Sequence, residues 1–111
     1  MVSEAKIRSE RFEERDEFFE QNGSVWMKLT KEAAIAVVEQ CEAENRAVSI
    51  VEGGIWQDPG FEARLDAIWH SGFDKKPVGQ SLSENNAAAL GFLAAEMPAE
   101  CDTAIITVFK D

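Results

Sequence analysis

Ala47-Val48-Ser49-Ile50-Val51-Glu52-Gly53-Gly54-Ile55-Trp56-Gln57-Asp58-Pro59-Gly60-Phe61-Glu62-Ala63-Arg64-Leu65-Asp66-Ala67-Ile68-Trp69-His70 is the stretch on which the fold turns. Its first part, Ala47–Glu52, is β-branched and apolar at Val48, Ile50 and Val51, and predicts a strand that Gly53–Gly54 ends or bulges before Ile55 and Trp56. Its last part, Phe61–His70, supports two readings. As a helix it has Asp58 as N-cap, Pro59 at the first helical position and Gly72 beyond the far end, with Phe61, Leu65 and Ile68 on one side. As a strand it puts Phe61, Ala63, Leu65, Ala67 and Trp69 on one face and Glu62, Arg64, Asp66 and His70 on the other, after a turn at Asp58-Pro59-Gly60. Local propensity favours the helix and alternation favours the strand.

Upstream, Glu4–Gln21 is rich in helix formers and stops at Asn22-Gly23, which predicts a charged N-terminal helix within residues 1–22. Its apolar residues fall on two sides, Ala5, Phe12 and Phe19 against Ile7 and Phe18. Such a helix is either wedged into the core or keeps one face for a partner. A short apolar stretch, Val25–Leu29, then leads to Thr30, an N-cap residue for a second helix running to about Asn45. Ala34, Val37, Val38 and Cys41 line one face of that helix with Ile35 beside them, a stripe suited to packing on a sheet.

Downstream, Ser71–Gln80 holds Gly72, Pro77 and Gly79 and reads as a surface loop, with Lys75 and Lys76 as the one basic spot. Ser83, or Ser81 with Glu84 three residues on, starts a third helix that buries Ala87, Leu90, Leu93, Ala94 and Met97 before Pro98. Ala104–Phe109 is a closing strand suited to a central place in the sheet.

The 111 residues suit one domain, 1–111, with one core. Against 11 Lys+Arg stand 21 Asp+Glu, for a net charge of −10, which disfavours nucleic acid and anionic membranes and favours a basic partner. No apolar run reaches the roughly 18 residues of a membrane span, and the seven acids of the first 20 residues are unlike a signal peptide. A cytoplasmic protein is expected, with Cys41 and Cys101 as reduced core thiols. A single His70, and cysteines without paired spacing, predict no metal and no cofactor.

No nucleophile elbow, phosphate loop, dinucleotide fingerprint or zinc helix is present. His70 and Ser71 are adjacent, so on a strand they point to opposite faces. An enzyme is therefore not expected. Residues 39–66 hold seven acids and two bases, half of the net charge, beside Trp56 and Trp69. Aromatic anchors ringed by carboxylates suit a protein interface, in which Glu52, Trp56, Asp58, Glu62 and Asp66 are the candidate contact residues. The plain alternative is that both tryptophans are core and the acids solvate the surface.

Val25-Trp26-Met27-Lys28-Leu29-Thr30-Lys31-Glu32-Ala33, then Ala47–Trp56, then Ile68-Trp69-His70, completed by Ser83–Met97 and Ile105–Phe109, resembles the bacterial polymorphic-toxin immunity proteins, in particular immunity protein family forty. The acid and tyrosine often found after the double glycine are here Ile55 and Trp56, and the asparagine before the later tryptophan is Ile68. The resemblance implies a cytoplasmic protein that binds and neutralises a cognate toxin domain. It also implies an α+β fold with Phe61–His70 as a strand: an antiparallel sheet of about three to four strands packed with about three helices. Stoichiometric occlusion of a basic toxin surface is the expected mechanism. The competing readings are a small hydrolase or transferase using carboxylates with His70, and an adaptor that forms homo-oligomers through the second face of the first helix.

Overall fold

The structure, a computed structural model, describes residues 11–20, 27–57 and 60–110. Nine elements follow in order: β1 (Arg11–Phe12), α1 (Arg15–Glu20), β2 (Lys28–Thr30), α2 (Lys31–Ala43), β3 (Val48–Gln57), β4 (Gly60–His70), α3 (Gln80–Gly91), a π-helical turn (Phe92–Glu96) and β5 (Thr103–Val108). The strands form one five-stranded sheet in the order β1-β2-β5-β3-β4. β1 runs parallel to β2 and every other neighbouring pair is antiparallel. The fold is α+β as expected, but the sheet is mixed and has one strand more than the upper expectation. β5 does take a central place.

α2 begins where its sequence directs. The Thr30 hydroxyl accepts a hydrogen bond from the Ala33 N–H at 3.1 Å, and Glu32 lies in the positive first turn. The helix ends when Asn45 takes φ 57°, a conformation asparagine tolerates better than most residues, which lets the Arg46 N–H reach the Cys41 carbonyl at 2.8 Å. Ala34, Val37, Val38 and Cys41 are all buried and face the sheet.

The N-terminal expectation is corrected within the described residues. Arg11–Phe12 is a strand, and the helix covers only Arg15–Glu20. Pairing with β2 outweighs helix propensity here, because it places Phe12 beside Leu29 in the core. Phe18 is fully buried, and Phe19 packs edge-on against it at 5.1 Å under the Arg46 guanidinium. The described part of this helix is thus wedged into the core, with no free apolar face. Ala5, Ile7, Val25, Trp26 and the stop at Asn22-Gly23 lie outside the described residues.

β3 runs on through its glycines, and β4 is a strand. Glu52 pairs with Ile68 and Gly54 pairs with Ala63, so Gly53 alone faces four residues, Arg64–Ala67. Three extra residues is an odd number, so the bulge reverses which face each side chain takes. The expected single face of Phe61, Ala63, Leu65, Ala67 and Trp69 is therefore broken. Ala67 and Trp69 meet the core, whereas Phe61 and Ala63 take the other side and Leu65 is 91% exposed.

α3 also differs from expectation. It starts at Gln80 after Gly79, which has φ 58° and offers no side-chain cap, while the Ser83 hydroxyl donates instead to Glu42 Oε1 at 2.6 Å. Ala87 and Ala94 are exposed, and the buried positions are Leu82, Asn85, Asn86, Ala89, Phe92, Leu93 and Met97. In the closing π turn the Met97 N–H reaches the Phe92 carbonyl at 2.8 Å. Met97 then lies over Gly53, where a β-carbon would strike its sulfur.

The two buried asparagines do backbone work. Asn86 Oδ1 accepts from the Val48 N–H at 3.0 Å and its Nδ2 donates to the Arg46 carbonyl at 2.8 Å, while Asn85 Nδ2 donates to the Val48 carbonyl at 2.8 Å. Ser71 closes the set by donating to Asn85 Oδ1. The ladder between β3 and β5 shifts register between Val48 and Ile50, and α3 partners the Val48 backbone at this irregular end.

Candidate interaction surface

All three helices lie on one side of the sheet. Phe12, Phe18, Leu29, Val37, Val38, Val51, Ala67, Leu93, Ala104 and Ile106 form the core between sheet and helices. Among the described residues no helix covers the opposite face.

Strand alternation sends Ile50, Glu52 and Trp56 of β3 to that outer face. Their cross-strand neighbours go with them: Ile50 pairs with His70 and Thr107, Glu52 with Ile68 and Ile105, and Trp56 with Phe61. Glu52 is a half-buried carboxylate flanked by an isoleucine on each side. The Phe61 ring packs over Gly54, where a β-carbon would lie 2.7 Å from the ring and against the Glu62 carbonyl. The bare glycine is what lets the β3–β4 hairpin close at this point.

The Asp102 carboxylate fixes the backbone of Trp56. Its Oδ1 accepts from the Trp56 N–H at 3.0 Å and from the Thr103 hydroxyl at 2.9 Å, and its Oδ2 lies 3.4 Å from Arg11. Burial acts to raise the Asp102 pKa, but these two hydrogen bonds and the Arg11 charge outweigh it and hold the carboxyl below its ordinary value.

Of the five candidate contact residues, the structure brings Glu52 and Trp56 onto this outer face. Asp58 lies outside the described residues. Glu62 pairs with Ile55 and so has the opposite orientation, exposed at the hairpin end. Asp66 belongs to the bulge, where it contacts Arg64 at 3.4 Å, and Arg64 also reaches Glu100 at 3.3 Å. Glu62 and Asp66 therefore do not share one regular strand face. Ile50, Phe61, Ile68 and Ile105 were not among the candidates, because only the register of three strands brings Ile68 and Ile105 beside Glu52 and Phe61 beside Trp56.

On the helical side, a groove of about 280 Å³ between α2 and α3 is lined by Val38, Glu39, Glu42, Ser83, Asn86, Ala87 and Leu90. Ser71, next to His70, donates to Asn85 and accepts from the Phe73 N–H, which commits its hydroxyl to structure. Among the described residues no group of three or more His, Cys, Asp or Glu side chains could hold a metal ion. Among them, too, no helix is long and apolar enough to cross a membrane.

Comparison with known proteins places this architecture. The family model described as Colicin-E5 Imm protein matches residues 27–109, the span from the start of β2 to the end of β5. Immunity protein CdiI of Burkholderia pseudomallei is 47% identical over 98 residues, which is 87% of each chain. The broad class suggested by the resemblance, an immunity protein of toxin systems, is the class found. The matching family model is that of the colicin-E5 immunity protein, where the resemblance had pointed to immunity protein family forty.

Proposed function

The chain belongs to the colicin-E5 immunity protein family, and from this membership we propose that it binds a cognate toxin domain in the cytoplasm and neutralises it by stoichiometric occlusion. The outer face of the sheet is the proposed contact surface, and the observation that carries this choice is Glu52. A carboxylate flanked by Ile68 and Ile105, four residues along β3 from the Trp56–Phe61 pair, sets a charge beside apolar area and an aromatic anchor. Apolar area supplies burial, and the charge selects a cationic group opposite it.

The net charge of −10 supports a partner with a basic surface, drawn in by long-range attraction that salt weakens. Asp58, Glu62 and Asp66 act in this reading as a steering rim. A standard interface takes roughly 800 Å² from each partner, about an eighth of the 6257 Å² surface here. Occlusion requires no bond-making chemistry, so the protein acts as a binder and not as an enzyme.

Co-expression with a cognate toxin domain tests the function, and calorimetry of the purified pair tests the surface. The wild type is expected to rescue growth. Glu52→Lys with Trp56→Ala is expected to fold, by circular dichroism, and to lose at least a hundredfold in affinity, since buried charge and aromatic contacts each contribute about 2 kcal/mol or more. Affinity within threefold of wild type in that folded variant refutes the placement on the outer face. Failure of the wild type to rescue refutes the function.

A further inference from the structure

We propose that Asp102 is a positioning residue for toxin binding: its carboxylate, steadied by Arg11, presets the backbone of Trp56 on the outer face in the conformation that the toxin domain meets. This inference rests on the functional reading above and adds to it two residues that are not among the proposed contacts.

Trp56 stands where β3 loses one of its two neighbours. The β3–β5 ladder ends at the pair Gly54–Thr103, so Ile55, Trp56 and Gln57 have no partner on β5. Ahead of Thr103 the chain bends through a turn in which the Cys101 N–H reaches the Pro98 carbonyl at 3.0 Å. On that side no strand carbonyl meets the Trp56 N–H, and it donates to Asp102 Oδ1 at 3.0 Å instead. A side chain thus extends the ladder by one bond, at the residue that the outer face offers as its aromatic anchor. On the other side Trp56 pairs with Phe61 of β4 in the ordinary way.

The carboxylate is itself held in place. The Asp102 N–H donates to the Gly54 carbonyl at 3.1 Å, and the Asp102 carbonyl accepts from the Lys31 N–H, at the start of α2, at 3.1 Å. These two bonds fix the backbone from which the side chain projects. The Thr103 hydroxyl donates to Oδ1 at 2.9 Å, and Arg11 Nη1 lies 3.4 Å from Oδ2, so both oxygens are engaged. Arg11 belongs to β1, ahead of the residues 27–109 that the family model matches, so a side chain from outside that span supports the anchor. The Asp102 side chain is 54% exposed, where an ion pair adds little to global stability. Its larger effect is local, on the strand end that carries Trp56. A recognition residue set in its bound conformation beforehand spares the complex the cost of ordering it.

The test is a double-mutant cycle of Asp102→Ala and Trp56→Ala, read by calorimetric affinity of the full chain for a cognate toxin domain, with circular dichroism and amide exchange of each variant. Asp102→Ala is expected to fold, to exchange the Trp56 amide faster than the wild type, and to weaken binding about fivefold to thirtyfold, the ordering cost of one backbone residue transferred to the binding step. In the Trp56→Ala background the same change should weaken binding less than about twofold, because no ring remains to be positioned. Asp102→Asn keeps an acceptor for the Trp56 N–H and should restore affinity to within about threefold of wild type. Equal losses from Asp102→Ala in the two backgrounds would make Asp102 a direct contact or a general stabiliser and overturn the proposal. So would an Asp102→Ala variant that does not fold, or an Asp102→Asn variant as weak as Asp102→Ala. If Trp56→Ala weakens binding while Asp102→Ala matches the wild type, the positioning role alone is removed. If Trp56→Ala itself binds like the wild type, the outer-face reading falls and the positioning role falls with it.

Discussion

Replacing Asn86 by alanine removes a side chain that is 2% exposed and hydrogen-bonds two backbone groups, the Val48 N–H at 3.0 Å and the Arg46 carbonyl at 2.8 Å. Val48 is fully buried, so its N–H would lose its partner where water does not compensate, at about 1–3 kcal/mol. Arg46 is half-buried, and loss of the bond to its carbonyl costs about 0.5–1.5 kcal/mol. The expected total is about 2–4 kcal/mol, a large share of the roughly 5–15 kcal/mol that holds a domain folded. With an unfolding entropy of about 2.1 cal/mol/K per residue over 111 residues, the melting midpoint should fall by about 9–17 °C. Urea unfolding followed by circular dichroism gives the free energy, and an unchanged slope would show that the denatured state is not what moved. Asn86→Asp separates the two bonds. Protonated, it can still accept from Val48 and donate to Arg46; ionised, it buries a charge and loses the donor. Its folded-state pKa is thereby raised, so stability should be near wild type at low pH and fall as pH rises. A loss of less than about 0.5 kcal/mol in Asn86→Ala would refute the view that α3 partners the irregular end of β3.

Two further outcomes follow from the charged and sulfur groups. Asp102 is held below its ordinary carboxyl value of 3.8, so its contribution is present above that pH and is lost as pH falls through the lower folded value. Asp102→Asn should flatten the acid end of the stability profile, and an unchanged profile below pH 4 would contradict this. Burial pushes the Cys41 thiol up to about 11 despite the nearby Arg46 charge, and burial likewise raises Cys101 against the pull of Arg64. Both thiols are free and buried, so a thiol reagent at pH 8 should label neither in the native protein and both in denaturant. Rapid native labelling of either would show that the core opens locally.

The strongest signals in the sequence were those with a local cause. Thr30 caps α2, the apolar stripe of that helix faces the sheet, and the β-branched runs at β3 and β5 are strands. Phe61–His70 was ambiguous because its flanking Asp58-Pro59 and Gly72 satisfy helix ends while its body alternates as a strand. A reading by period two also has no means of seeing the three-residue bulge, and that is why Glu62 and Asp66 did not share a face and why Leu65 was assigned to the apolar side. The strand at Arg11–Phe12 depends on a partner seventeen residues away, and the burial of Asn85 and Asn86 depends on backbone groups nearly forty residues away. No composition encodes either. Glu52 and Trp56 were legible as candidates, but their isoleucine and phenylalanine neighbours emerge only from register.

The alternation along β3 has a consequence for divergence within the family. Val51 and Gly53 answer to Ala67, Met97 and Ile106, whereas Glu52 and Trp56 point outward, onto the proposed binding surface. Under the proposed function, consecutive residues of one strand would answer to unrelated selections, one for folding and one for recognition. A descendant facing a different toxin can exchange its outward residues while the packing beneath them is inherited intact, so specificity can drift quickly on a scaffold that barely changes.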